Sequence, residues 1–272
     1  MSSQILSRPA PPPDARIAYG TGEQHYGDLR VPKQEGPHPL AICIHGGYWR
    51  AQHSLTYMGH TCEALRASGI ATWNIEYRRI GQGGGYPGTF ADLAAAADHV
   101  RELAPRYSLD LTRTLTLGHS AGGHLAAWLA ARPRLAPSTA LYTPSPLVVA
   151  ALVSLAGVLD LRRGWELRLS DNIIESLLRG TPAQVPERYA AASPYDLLPL
   201  HVPQCLIHGS ADTNVPLEIT ARHYEAARAA GDEVEQIVLD GVGHFEIVDP
   251  NSGVWPCVLD ATRRAAQRST RG

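Results

Sequence analysis

A serine stands between glycines at Gly118-His119-Ser120-Ala121-Gly122, directly after the apolar and β-branched run Thr114 to Leu117 and directly before the Ala-rich stretch that leads to Trp128. That order reads as strand, sharp turn, helix. In such a turn the serine backbone is forced out of the ordinary regions so that its hydroxyl stands clear of the sheet edge, and the flanking glycines remove side chains that would collide. Ser120 would also lie at a helix N-terminus, where free N–H groups and the helix dipole favour developing negative charge. A serine hydroxyl is a weak nucleophile until a base takes its proton and a carboxylate orients that base. The pattern therefore calls for an acid and a histidine further along.

Both follow, each past an apolar run. Val202 to His208 leads into Gly209-Ser210-Ala211-Asp212-Thr213-Asn214-Val215-Pro216, and Val234 to Leu239 leads into Gly241-Val242-Gly243-His244-Phe245. The order is Ser120, Asp212, His244. Upstream, the run Pro39 to Ile44 ends in His45-Gly46-Gly47-Tyr48-Trp49-Arg50. A glycine pair after a buried strand lets backbone N–H groups turn toward a neighbouring site, as an oxyanion hole requires. Asp160 also follows a strand-like run, and Asp240 and Asp249 flank the histidine, so these are rivals for the acid; the turn around Asp212 favours that residue. His119 and His124 adjoin the serine but cannot easily reach its hydroxyl, so they read as packing residues, with His45 as an organiser of the glycine loop.

Positioning these groups takes alternating strands and helices. Ile17 to Val31 reads as an antiparallel strand or hairpin, Tyr57 to Ser68 as a helix ending at Gly69, Ile70 to Tyr77 as a strand, and Thr89 to Ala104 as a helix capped by Thr89. Ala150 to Leu155 is another buried strand, Glu218 to Ala230 a helix, and Val254 to Gln267 a terminal helix. The expected fold is α/β, a mostly parallel twisted sheet with helices on both faces and the site at the strands' C-terminal ends. Residues 162–199 lack a strand and carry apolar residues at helical spacing, which predicts a short helical flap. The glycine-rich stretch Arg78 to Gly88 lacks the Lys-Ser/Thr of a phosphate loop and reads as a flexible connection. Residues 1–16, with Pro9, Pro11, Pro12 and Pro13, read as a flexible tail, leaving 17–272 as a single domain.

The chain has 272 residues, 44% of them hydrophobic and 18% charged, with a formal net charge of −2. That balance offers no basic field for nucleic acid or acidic lipid. No apolar run is long enough to span a bilayer, and no secretory h-region is present at the N-terminus. The four cysteines are scattered without a C-x-x-C pair, as suits small buried hydrophobes in a reducing compartment. The expectation is a cytoplasmic protein that acts on a small molecule without metal or cofactor, with no nucleic-acid or membrane partner; a homodimer is compatible with the sequence.

The order Ser, Asp, His is that of the α/β-hydrolases. His45-Gly46-Gly47-Tyr48-Trp49 together with Gly118-His119-Ser120-Ala121-Gly122-Gly123-His124 resembles the kynurenine formamidase (arylformamidase) branch of that superfamily, close to the hormone-sensitive-lipase-like esterases. The similarity runs from about Ala18 to Ala265 and includes Gly157 to Leu161 and Ser193-Pro194. The resemblance implies an α/β-hydrolase fold, with Ser120 as nucleophile, Asp212 as orienting acid, His244 as base, and backbone donors at Gly47, Tyr48 and Ala121. It implies hydrolysis of a small carboxylic ester or an aryl formamide. Tyr48 and Trp49, next to the oxyanion glycines, and Trp165 in the flap are expected to wall the substrate cleft. The competing reading is a non-catalytic binding module on the same fold, in which such a trio is usually broken; here it is intact.

Overall fold

The computed structural model describes residues 2–270. Eight strands form one sheet: β1 (Ala15–Ala18), β2 (Tyr26–Arg30), β3 (His38–Ile44), β4 (Ala71–Ile75), β5 (Leu109–His119), β6 (Ala151–Leu155), β7 (Gln204–Gly209) and β8 (Val234–Leu239), in the spatial order β1-β2-β4-β3-β5-β6-β7-β8. The first two strands pair antiparallel, β2 runs antiparallel to β4, and every later pair is parallel. β3, β4, β6 and β7 are almost wholly buried, which is why they read as continuous apolar runs rather than alternating ones.

The helices are α1 (Gly59–Ala67), α2 (Gly88–Asp98), α3 (Val100–Tyr107), α4 (Ala121–Ala131), α5 (Leu161–Glu166), α6 (Leu169–Leu178), α7 (Pro186–Ala192), α8 (Leu217–Ala229) and α9 (Trp255–Ala266). They cover both faces of the sheet. One apolar cluster gathers residues of α2, α3, α4, α6 and α8, including Phe90, Trp128, Ile174 and Ile219. The other gathers residues of α1 and α9 with Ile5, including Cys62, Trp255 and Val258. The helix expected over 89–104 is broken at His99 into α2 and α3, and Thr89 spends its hydroxyl on the Arg78 carbonyl, 2.6 Å away, instead of capping.

Between β6 and β7 the chain forms α5, α6, α7 and a 3-10 turn at Pro194–Leu197. Their apolar stripe, Leu169, Ile173, Ile174, Leu177 and Leu178, is buried in the first cluster. It is core packing, held down by the Tyr86 N–H donating to the Leu177 carbonyl (2.7 Å) and the Trp128 indole Nε1 donating to the Ala191 carbonyl (3.0 Å).

The Pro-rich segment expected as a flexible tail is instead laid onto the domain. Ser2–Leu6 forms a 3-10 turn, Ile5 is fully buried, Arg8 contacts Asp249 at 2.7 Å, and Arg30 donates to the Pro11 carbonyl at 2.6 Å. One apolar anchor and two charged ones supply what the prolines alone do not.

Candidate active site

β5 delivers Ser120 to the C-terminal edge of the sheet, and α4 begins at the next residue. Ser120 has φ 58° and ψ −122°, a conformation that costs on the order of 1–3 kcal/mol for a residue with a side chain. Close backbone packing holds it there. A Cβ on Gly118 would overlap the Gly122 carbonyl, and one on Gly122 would overlap the Ile44 carbonyl, so both positions require glycine. Main-chain bonds from Ser120 N–H to Leu155 O (2.8 Å) and from Val158 N–H to Ser120 O (3.3 Å) fix the turn to β6.

The loop after β3 lies against this turn. A Cβ on Gly46 would come within 2.9 Å of the Ser120 Cβ. Gly47, Tyr48 and Trp49 have φ of 108°, 51° and 57°, three left-handed residues in succession. Within the described residues the N–H groups of Gly47, Tyr48 and Ala121 have no protein acceptor. His45 braces the loop: its Nδ1 is 2.8 Å from the Gly46 carbonyl, its Nε2 is 3.1 Å from Glu76 Oε1, and Tyr77 stacks on its ring at 4.5 Å. Burial opposes the charge of Glu76, but the His45 hydrogen bond and the nearby Arg79 outweigh it and hold the carboxyl below its ordinary range.

Asp212 and His244 come from the loops after β7 and β8. Those loops meet where a Cβ on Gly209 would overlap the Val242 carbonyl, and Ala211 N–H donates to that carbonyl at 3.0 Å. His244 Nδ1 lies 2.6 Å from Asp212 Oδ2. The other carboxylate oxygen accepts from the N–H groups of Asn214 and Val215 at 2.8 and 2.9 Å, and His208 Nε2 approaches Oδ2 at 3.2 Å. Burial opposes the charge on Asp212, yet these donors together keep its pKa far below the usual carboxylate range.

Ser120 and His244 line one cavity of about 120 Å³ with Leu6, Gly47, Tyr48, His53, Tyr57, His119, Asn214 and Phe245. Of the three residues expected to wall the cleft, only Tyr48 does so, its hydroxyl donating to the Asn214 carbonyl. Trp49 is fully buried under the loop, edge-on to His124 at 5.2 Å. Trp165 packs within the helical insertion, its Nε1 donating to Glu175 Oε2 at 3.2 Å, and is absent from the cavity wall. The rival acids lie elsewhere. Asp160 caps α5 by accepting from Arg163 N–H at 2.9 Å, Asp240 accepts from Ser210 at 3.0 Å, and Asp249 pairs with Arg8.

Sequence reading passed over several neighbours. Tyr57 opens a stretch with helical spacing, His53 lies between that stretch and the glycine loop, and Leu6 belongs to the segment expected as a tail. His208 alone carried a signal, being the strand-end residue four before Asp212. His124, fully buried, places Nε2 2.9 Å from the Ala192 carbonyl, and burial lowers its pKa to about 4.

The parallel sheet with its antiparallel first strands, and a serine turn opposite an Asp–His pair at the strand ends, define an α/β-hydrolase. The profile of the BD-FAE family matches residues 28–226, and the chain belongs to that family. It is similar to the kynurenine formamidase of Drosophila melanogaster, 24% identical over 243 residues, or 86% of this chain and 75% of that protein. Among solved structures it resembles a truncated carbohydrate esterase from gut microbiota (22% identity, TM-score 0.78, 93% of this chain and 95% of that one). A thermophilic esterase of Thermogutta terrifontis with propionate bound is also similar (23%, TM-score 0.74, 95% and 96%). So is a bifunctional GH43-CE protein of Bacteroides eggerthii (25%, TM-score 0.77), where 92% of this chain spans only 37% of that one. What these proteins share with this chain is the α/β-hydrolase fold. No helix among the described residues is long and apolar enough to cross a membrane.

Proposed function

We propose that the protein is a serine hydrolase that cleaves small-acyl carboxylic esters or aryl formamides through an acyl-enzyme intermediate. The observation that carries this reading is the 2.6 Å contact of His244 Nδ1 with Asp212 Oδ2 at the wall of the cavity that the Ser120 turn enters. Because Nδ1–H is given to the carboxylate, Nε2 keeps the lone pair and takes the Ser120 proton as Oγ bonds to the substrate carbonyl carbon. The carbonyl oxygen gains the displaced electron pair and is met by the N–H groups of Gly47, Tyr48 and Ala121. Collapse expels the alcohol or arylamine, which takes its proton back from His244. Water then repeats the sequence and releases formate or a short carboxylate. This proton transfer requires Ser120 Oγ and His244 Nε2 to come within hydrogen-bond reach once substrate is bound.

Size supports a small acyl group. About 120 Å³ holds about four waters at liquid density, which is room for a short acyl group. Tyr48, Tyr57, His53 and Phe245 put four rings in the lining, and stacking of an aromatic leaving group on such a ring is worth about 0.5–1.5 kcal/mol beyond area burial. The names of the relatives, one a formamidase and others esterases, support both bond types. Three free, buried cysteines, Cys43, Cys62 and Cys205, suit a reducing cytoplasm.

The test is turnover of p-nitrophenyl acetate and of N-formylkynurenine at equal enzyme, in the wild type and in Ser120→Ala, with a fluorophosphonate label mapped by mass. Single labelling at Ser120 and loss of turnover in the variant are expected. Turnover surviving in Ser120→Ala overturns Ser120 as the nucleophile, and absence of both turnover and label in the wild type returns the protein to the binding-module reading.

A further inference from the structure

Leu6 lines the cavity that holds Ser120 and His244, although it belongs to the N-terminal segment and lies far from every other wall residue in sequence. It is 36% exposed, so one side of an apolar side chain faces solvent at the cavity rim. An unsupported leucine could not define a wall, but this one is held on both sides. Before it, Ile5 is fully buried in the apolar cluster that contains Tyr57 and Met58. After it, the Arg8 guanidinium contacts Asp249 Oδ1 at 2.7 Å and His60 Nε2 at 3.1 Å. Asp249 lies in the loop that carries His244, and Thr61 fastens that loop from α1 by donating to the Val248 carbonyl at 2.6 Å. The strap thus spans from α1 to the loop that carries the histidine.

We propose that this strap forms the outer wall of the acyl pocket and that Leu6 sets the acyl-length limit, an assignment that rests on the serine-hydrolase reading above. The acyl group is the half of the substrate that stays on Ser120 after the leaving group departs, so its seat must remain covered while water enters from the other side. A wall pinned at Ile5 and Arg8 provides that cover. The space it closes, about 120 Å³, takes formyl to butyryl but not a long chain together with a ring. Removing the leucine side chain opens the pocket outward to solvent along the strap.

The experiment is kcat/KM across p-nitrophenyl acetate, butyrate, hexanoate and octanoate for the wild type, Leu6→Ala, Leu6→Trp and Arg8→Ala, with a second series that varies the alcohol at fixed acetyl. Leu6→Ala should raise the hexanoate-to-acetate ratio about tenfold, Leu6→Trp should lower the butyrate-to-acetate ratio about tenfold, and Arg8→Ala should move the profile in the same direction as Leu6→Ala. Circular dichroism of each variant confirms folding. An acyl profile unchanged in both Leu6 variants, or a change confined to the alcohol series, overturns the assignment while leaving the hydrolase reading intact. Acetate turnover that survives in Ser120→Ala overturns that reading, and this assignment with it.

Discussion

His119 and His244 face each other with ring centroids 4.4 Å apart, and His119 Nε2 donates to the main-chain carbonyl of His244 at 2.9 Å. That bond fixes the tautomer of His119, so its Nδ1 accepts from the Tyr57 hydroxyl at 3.0 Å, and the same hydroxyl accepts from Gly46 N–H at 2.6 Å. Burial and the neighbouring His244 push the pKa of His119 well down, which keeps it in this neutral role. A single hydrogen-bonded chain therefore ties the glycine loop to the histidine loop behind the serine. Tyr57→Phe leaves the Gly46 N–H unpaired in a buried place, at a cost of about 1–3 kcal/mol. We expect kcat to fall about 10- to 100-fold with KM little changed, because a small misplacement of the donors is felt chiefly in the transition state. Equal losses in kcat and KM affinity, or none, would remove the positioning role.

Asp212 and Asp160 can be separated by paired variants. Asp212→Asn should lower kcat by about 10⁴-fold, the magnitude known for the analogous serine-protease change, since the amide no longer holds the imidazole tautomer. Asp160→Asn should keep turnover within a few fold, because asparagine serves nearly as well as an N-cap. Asp160→Ala, which removes the cap seen on Arg163 N–H, should cost about 0.5–2 kcal/mol of stability in urea titration. Reversed effects on turnover would move the acid to Asp160.

Buried His124 makes the fold acid-sensitive. Its pKa is lowered to about 4, against about 6.5 in an unfolded chain, so between those values the unfolded state binds the extra proton. Stability is complete above pH 6.5 and is lost as pH falls toward 4, by up to about 3 kcal/mol from this residue. His124→Gln should begin less stable at neutral pH, through its altered bond to Ala192, and should lose less on acidification. Urea midpoints at pH 7 and pH 4.5 check this, and parallel losses in both proteins would contradict it.

Trp49 should behave as a core residue. Trp49→Ala should cost about 3–5 kcal/mol in stability, as large aromatic truncations do, because the ring packs in full burial against His124. With Trp49→Phe, which keeps most of the volume, the ratio of rates along an ester series should match the wild type. A shifted acyl profile in the phenylalanine variant would return Trp49 to the substrate cleft.

The parts legible in the sequence were those written in local pattern. Strand ends, the elbow around Ser120 and the turns bearing Asp212 and His244 announce themselves through glycines at short spacing after apolar runs, and the sheet class follows from their alternation. The direction of a side chain was not legible. Tyr48 and Trp49 are adjacent aromatics with similar left-handed backbones, yet one lines the cavity and the other is sunk beneath it. Nor could spacing reveal what is brought together over long separations, such as Leu6 in one cavity wall with His244, or Tyr57 against His119. These depend on how the loops fold over the sheet edge, which no short window of sequence contains.

The mutual contact of Gly118, Gly122 and Ile44 bears on how such a site can change. With bare backbone pressed on bare backbone at the seat of the serine, no side chain is available there for selection to alter, and nearly every substitution at either glycine meets a carbonyl. Variation is free only around the mouth, at Leu6, His53, Asn214 and Phe245, each supplied by a different segment of chain. A lineage carrying this site would diversify by exchanging its rim one residue at a time, while the bond-breaking apparatus underneath stays the same.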